Sequence, residues 1–182
     1  MLKFRIENPF LRGLVEWIVV IGLAILLALV TRNFIFRVTR VTGYSMNPTL
    51  NHGDVLILNR FSYLFTSPRV GDIVAFPYPS DPSEFFIKRV IAAPGDEIDW
   101  QDNQFTINGI PLEDSFSDVG LRSGGNVSFP MVIDEGYFFV LGDNRNASRD
   151  SRYMSVGNIS GGDMLGRSFV RIWPMRNFGR VD

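Results

Sequence analysis

Glu84-Phe85-Phe86-Ile87-Lys88-Arg89-Val90-Ile91-Ala92 is a short apolar run that carries two adjacent cations, set between the turn-forming Pro77 to Pro82 and Pro94-Gly95-Asp96. Its length and its bounding turn residues make it a strand, and period-two alternation places Lys88 on one face with Phe86 and Val90. Similar runs occur on both sides: Phe34 to Val41, Val55 to Leu58, Ile73 to Phe76, Tyr137 to Leu141 and Phe169 to Trp173. Asn51-His52-Gly53-Asp54 and Asp134-Glu135-Gly136 separate them, and Asn108-Gly109 between Phe105-Thr106-Ile107 and Ile110 is a hairpin signal. The fold is therefore expected to be mainly β. Gly-Asp recurs at 53, 71, 95, 142 and 162, which reads as turns at strand ends whose carboxylates cap backbone donors, Asp143 excepted. Residues 111 to 130, rich in Ser, Gly and Asp, read as a surface excursion with no chemical signature.

Outside this β-rich stretch lies one feature of another kind, the 14-residue run Trp17 to Val30, which holds no charge. A membrane helix wants about 20 apolar residues, so the span is expected over about 14–31, with Glu16 and Arg32 near the interfaces or the helix continuing through Asn33 to Phe36. The alternatives are a cleaved secretory signal and a buried core helix. Against the first, no small-x-small pair closely follows the run; against the second, a β-rich remainder offers little to cover so apolar a helix. The division is then 1–33 for an N-terminal segment and anchor, and 34–182 for one β domain, which is as much as 182 residues hold. Arginine and lysine flank the run evenly, with Lys3, Arg5 and Arg12 before it and Arg32, Arg37 and Arg40 after it, so charge bias does not orient it.

Charge and composition exclude several kinds of chemistry. The formal net charge is -1, and residues 1 to 40 hold six of the 18 Lys and Arg against two of the 19 acids, leaving a mildly acidic domain without a basic stripe for nucleic acid. Without cysteine there is no thiolate, and with His52 as the single histidine a zinc site needing several imidazoles, or a Ser-His-Asp triad built elsewhere in the chain, is set aside. The base for any serine chemistry must be something else. Of the 18 basic residues only Lys3 and Lys88 are lysines. Arginine serves wherever a fixed charge suffices, whereas only lysine can lose its proton at workable pH and act as a base. To be half neutral near pH 8, Lys88 must drop about two units from about 10.4, which burial beside Phe86 and Val90 can supply. A lysine snorkelling at a sheet edge is the alternative. Gly43-Tyr44-Ser45-Met46-Asn47-Pro48-Thr49-Leu50 supplies a serine on a turn just after the first strand, which taken alone is no more than a turn former.

Together the segments resemble the signature boxes of the type I signal peptidases, in order. Ser45 to Leu50 is similar to the nucleophile box, and Gly71-Asp72-Ile73-Val74-Ala75-Phe76 to the following strand. Ile87 to Ile91 with Pro94-Gly95-Asp96 resembles the lysine box. The last box is matched by Gly142-Asp143-Asn144-Arg145 through Ser148, Asp150, Ser151 and Arg152. The resemblance runs from the anchor to about Gly166. It implies a signal-peptidase-like fold of antiparallel sheets with one N-terminal transmembrane helix, and a membrane-bound serine endopeptidase that removes signal peptides through an acyl-enzyme. Ser45 would be the nucleophile and Lys88 the base, Ser148 would orient the lysine, and Asp143, Arg145, Asp150 and Arg152 would form an ion-pairing frame. Where many relatives carry a serine this chain has Gly43, so the oxyanion hole would rest on the Ser45 N–H with a water or the Gly43 backbone. Ala92-Ala93 and Met154-Ser155 also depart from the family pattern. No cofactor and no metal are implied. The partners would be the signal peptides of pre-proteins and membrane lipid, with the domain on the outer face of a bacterial plasma membrane or in a thylakoid-type membrane. A substrate lying as an added strand puts alternate side chains inward, and Val41, Met46, Leu50, Phe86 and Ile87 are the expected pocket walls. Rival readings are a self-cleaving Ser-Lys repressor, which should carry a DNA-binding helix-turn-helix, and a tethered β domain that binds peptides without turnover.

Overall fold

A computed structural model describes residues 9–30, 36–112 and 122–181. The chain divides into two compact units, 1–36 and 37–182.

In the first unit, helix α1 runs Pro9–Val30, and its proline stands at the first helical position, where the missing N–H has no intrahelical partner to lose. It begins five residues before the expected span, with Arg12 and Glu16 paired one turn apart at 3.0 Å on its exposed surface. Over Pro9–Leu29 the mean hydropathy reaches 2.2, so the helix is long and apolar enough to cross a membrane. The expected continuation beyond residue 30 falls on 31–35, outside the described residues.

In the second unit the strands are β1 Phe36–Arg40, β2 Val55–Asn59, β3 Ile73–Tyr78, β4 Asp81–Ala92, β5 Glu97–Gln101, β6 Gln104–Ile107, β7 Ile110–Pro111, β8 Met131–Val132, β9 Tyr137–Leu141, β10 Ile159–Ser160, β11 Gly166–Trp173 and β12 Gly179–Arg180. The larger sheet has the order β1-β2-β11-β3-β4-β9-β10 with β12 on β11, and the smaller is β7-β6-β5-β8. The mainly β expectation holds, with differences that have local causes. Pro77 and Pro82 lie inside β3 and β4, although a break was expected there. Register shifts from Pro77↔Phe85 to Tyr78↔Asp81, so Pro82 to Glu84 bulge out of the ladder and Pro82 needs no N–H. β5 escapes the sequence pattern because Glu97 and Asp99 interrupt an apolar run, yet they flank the fully buried Ile98. Its hairpin with β6 turns on Asp102 and Asn103, both at positive φ, and the expected Asn108-Gly109 turn follows at φ 53° and 77°.

The 111–130 segment also differs from expectation. Residues 113–121 lie outside the described ones, but the return is structural: Phe129 packs against Phe105 and Phe139 at ring distances of 5.4 and 6.2 Å. The N–H groups of Asn126 and Val127 both donate to the Arg152 carbonyl. The core has three parts. Val74, Phe76, Val90 and Val140 fill one, and Ala92, Ile98, Phe105, Phe139 and Leu141 join the small sheet to the large one. Val41, Met46, Leu50, Leu56 and Ile73 fill the third, beneath the turn that carries Ser45.

Candidate active site

Antiparallel pairing sets Val74 opposite Lys88 and Phe76 opposite Phe86, while Arg89 pairs with Leu141 at the end of β9. The C-terminal half of β4 is thus enclosed on both sides, and Lys88 is only 3% exposed. Its Nζ donates to Ser45 Oγ at 2.8 Å and to the Ile87 carbonyl at 3.0 Å. It also stands 4.9 Å from the centroid of the Phe86 ring, which stacks on Tyr78 at 4.4 Å. Burial pushes the ammonium down from 10.5 to about 8; Asp150 and Asp143 pull it up and Arg152 pulls it down, but desolvation dominates. Ser45 Oγ is thus in hydrogen-bond contact with an amine that burial makes easier to deprotonate, which is the arrangement a hydroxyl nucleophile and its base would need.

Ser45 sits on the turn that follows Gly43, whose φ of +88° suits a residue without a Cβ. The turn is anchored underneath by the buried side chains of Met46 and Leu50, with the Leu50 N–H donating to the Met46 carbonyl at 2.8 Å. The loop after β9 holds it from the side: Asn144 N–H donates to the Ser45 carbonyl at 2.9 Å, and Asn144 Nδ2 to the Tyr44 carbonyl at 3.2 Å. Gly142 is needed for that approach, since a Cβ there would collide with the Ser45 carbonyl and the Ser148 hydroxyl.

The four residues expected as an ion-pairing frame lie together, and Arg89 joins them. Asp143 is gripped in bidentate fashion by Arg89, Nε to Oδ1 at 2.9 Å and Nη2 to Oδ2 at 2.8 Å, and accepts from Thr49 Oγ1 at 2.6 Å. Arg145 makes a longer ion pair with Asp143 at 3.9 Å and donates to the Gly142 carbonyl at 2.5 Å. Asp150 receives Arg152 Nε at 2.7 Å and Nη2 at 2.9 Å, plus the Gly142 N–H at 3.1 Å. Arg89 was absent from the frame expected from the sequence. The available signal was parity: next to Lys88 on a strand, it must face the opposite side.

Ser148 is buried against Gly142, but its hydroxyl makes no hydrogen bond, so the expected orienting contact with Lys88 is not formed in this structure. The Gly43 N–H, a candidate second oxyanion donor, is committed to His52 Nδ1 at 3.1 Å, and the His52 ring packs beside Tyr44 with centroids 5.7 Å apart. That leaves the Ser45 N–H as the expected donor from this turn.

A cleft of about 580 Å³ opens over Ser45 and Lys88, bounded by Thr39 to Met46, Glu84 to Lys88, Ala147 and Arg149. Val41, Met46, Phe86 and Ile87 line it as expected. Leu50 does not: it is fully buried in the core with Leu56 and Ile73, because the turn directs it under Ser45 and away from the cleft. Among the described residues no three His, Asp or Glu side chains group as a metal site would.

Residues 14–173 match the family model described as signal peptidase, peptidase S26. A signal peptidase I of Leptolyngbya laminosa is 38% identical, with 97% of this chain and 86% of the relative covered. The chloroplastic thylakoidal processing peptidase 1 of Arabidopsis thaliana is 34% identical over 83% of this chain and 46% of the relative. A crystal structure of a signal peptidase I from Enterococcus faecalis aligns with a TM-score of 0.46 at 30% identity, covering 56% of this chain and 97% of that one.

Proposed function

This chain belongs to the signal peptidase family S26, a family of serine endopeptidases that cleave signal peptides, and we propose that it does so by acyl transfer, with Ser45 as nucleophile and Lys88 as general base. The observation that carries this reading is the 2.8 Å contact between Ser45 Oγ and a lysine Nζ that is 3% exposed and makes no ion pair among the described residues. Neutral Lys88 takes the Ser45 proton while Oγ bonds to the scissile carbonyl carbon. The tetrahedral oxyanion, met by the Ser45 N–H, collapses as the C–N bond breaks, and the Lys88 ammonium returns its proton to the leaving amine. A water then attacks the ester carbonyl and gives its proton to Lys88. Finally Oγ leaves, takes that proton back and frees the carboxylate of the signal peptide.

Asp143 and Asp150 oppose this chemistry by favouring a charged lysine. Their close engagement with Arg89 and Arg152 neutralises them, so the frame holds the 142–152 loop against Ser45 without fixing the proton on Lys88. The substrate lies extended along Thr39 to Val41 and Phe85 to Ile87, with small side chains at the first and third positions before the cut facing Val41, Met46, Phe86 and Ile87. Ser148 orients Lys88 only after its hydroxyl turns. Helix α1 anchors the chain by a single pass, and the unit from about residue 37 carries catalysis on the outer face of a plasma membrane or in a thylakoid-type membrane. Proteolysis of that unit in sealed, right-side-out vesicles supports this topology, and full protection contradicts it.

The test of function is cleavage of a purified pre-protein by the full chain in detergent. Native protein should release the signal peptide, with a rate that rises through an ionisation near pH 8 because the neutral amine is the working form. A Ser45→Ala protein that still cuts at the same bond would overturn the assignment.

A further inference from the structure

The cleft over Ser45 does not end at the nucleophile. The Ser45 turn is held between two segments: on one side Val41, whose N–H donates to the Asp54 carbonyl at 2.8 Å, and on the other the 142–149 loop, through the Asn144 bond to the Ser45 carbonyl. Ala147 and Arg149 border the cleft on the side of the 142–149 loop, away from β1. Those two residues also belong to a second groove of about 500 Å³, which continues along Asn126, Asn146, Tyr153 and Ser155. Ala147 and Arg149 line both hollows, so the second groove lies next to the active-site cleft.

The chemistry of the second groove differs from that of the first. Among the described residues it has no apolar pocket wall comparable to Met46 or Ile87, and Arg149 is its one charged lining residue. The other arginines of this loop are consumed inside the protein, Arg145 on the Gly142 carbonyl and Arg152 on Asp150. Arg149 is exposed, reaches only the Tyr78 hydroxyl at 3.5 Å, and has no carboxylate partner among the described residues. An open polar groove whose guanidinium meets no carboxylate among the described residues suits an extended chain that offers an acidic side chain, since the planar fork matches a carboxylate.

We propose that this groove receives the mature side of the cut polypeptide, and that Arg149 favours an Asp or Glu among the first few residues after the scissile bond. The proposal rests on the reading of Ser45 and Lys88 given above and adds a determinant of specificity to it. The size of the effect is that of an exposed ion pair, about two- to fivefold in kcat/KM.

The experiment uses the full chain in detergent and quenched peptides with alanine at the first and third positions before the cut. They differ only in Asp, Asn or Lys placed second, third or fourth after it. Wild-type protein should prefer Asp over Lys at one of these positions, with the preference shrinking at about 0.5 M salt as screening shortens its range. Arg149→Gln should level the three peptides, and Arg149→Glu should reverse their order. Equal Asp-to-Lys ratios in wild type, Arg149→Gln and Arg149→Glu would overturn the proposal. Cleavage by Ser45→Ala would instead defeat the parent reading, so the two failures are told apart.

Discussion

Lys88 and Arg89 are neighbours on one strand, both cationic by type and both at least 95% buried, yet the protein treats them in opposite ways. Arg89 faces a carboxylate that answers it atom for atom, at 2.9 and 2.8 Å from Asp143, and its remaining nitrogen reaches the Gly71 carbonyl at 3.0 Å. Lys88 faces a hydroxyl, one carbonyl and an aromatic ring. Burial with a matched counter-ion keeps a charge; burial without one expels it as a proton. The alternation of a single strand thus separates a paired cation from one that burial pushes towards its neutral form, across the thickness of the sheet.

The strongest attempt to break this contrast exchanges the base for its neighbour's chemistry. Lys88→Arg keeps a positive charge in the site but cannot lose its proton, so pre-protein cleavage should fall by about 10² to 10⁴ while circular dichroism stays native. A folded Lys88→Arg protein of near-wild-type activity would show that Lys88 is a second structural cation.

On the opposite face, Arg89→Leu leaves the Asp143 carboxylate buried without its bidentate partner. Denaturant unfolding should register a loss of about 3–5 kcal/mol, the usual penalty for orphaning a buried charge. A loss below about 1 kcal/mol would mean that Thr49 and Arg145 satisfy Asp143 by themselves.

Removing the other cation should have the opposite sign. The folded value of Lys88, about 8, lies below its ordinary 10.5. Between those values the unfolded chain holds more protons, so wild-type stability rises with pH there; below pH 8 the cost of a buried ammonium is fully present, at most about 3 kcal/mol. Lys88→Met should therefore be more stable than wild type at pH 7, with the difference shrinking as pH rises through 8 towards 10.5. If Lys88→Met unfolds more easily than wild type at pH 7 and at pH 10 alike, then Lys88 stabilises the fold as Arg89 does.

Several elements were legible before any coordinates because their signals are local. The Asn108-Gly109 hairpin follows from two residues that tolerate positive φ, and β9 appears at its expected bounds, Tyr137–Leu141. β5 was missed because its charged residues sit on the solvent side of a strand whose inward Ile98 is one residue in a mixed run. Pro77 and Pro82 looked like breakers, and only the bulge between Tyr78 and Pro77 shows why a strand can contain them. At the site, Ser45 and Lys88 could be paired from residue type and motif order, but Leu50 was read as a pocket wall because sequence spacing cannot tell the upper side of a turn from its underside.

What the sequence determined by itself is therefore whatever depends on near neighbours or on residue type. It placed Lys88 and Arg89 on opposite faces, made Lys88 the one lysine of the β domain, and marked one helix as apolar all round. Only the tertiary structure decided who meets whom. Lys88 reaches a serine 43 residues away, and Arg89, which the expected frame did not include, an aspartate 54 residues away. Those meetings depend on strand order and register, β3 to β4 to β9, which arise from packing the whole core. A cation's protonation follows from how completely that packing removes water and whether it delivers a carboxylate, and neither is written in the residues beside it.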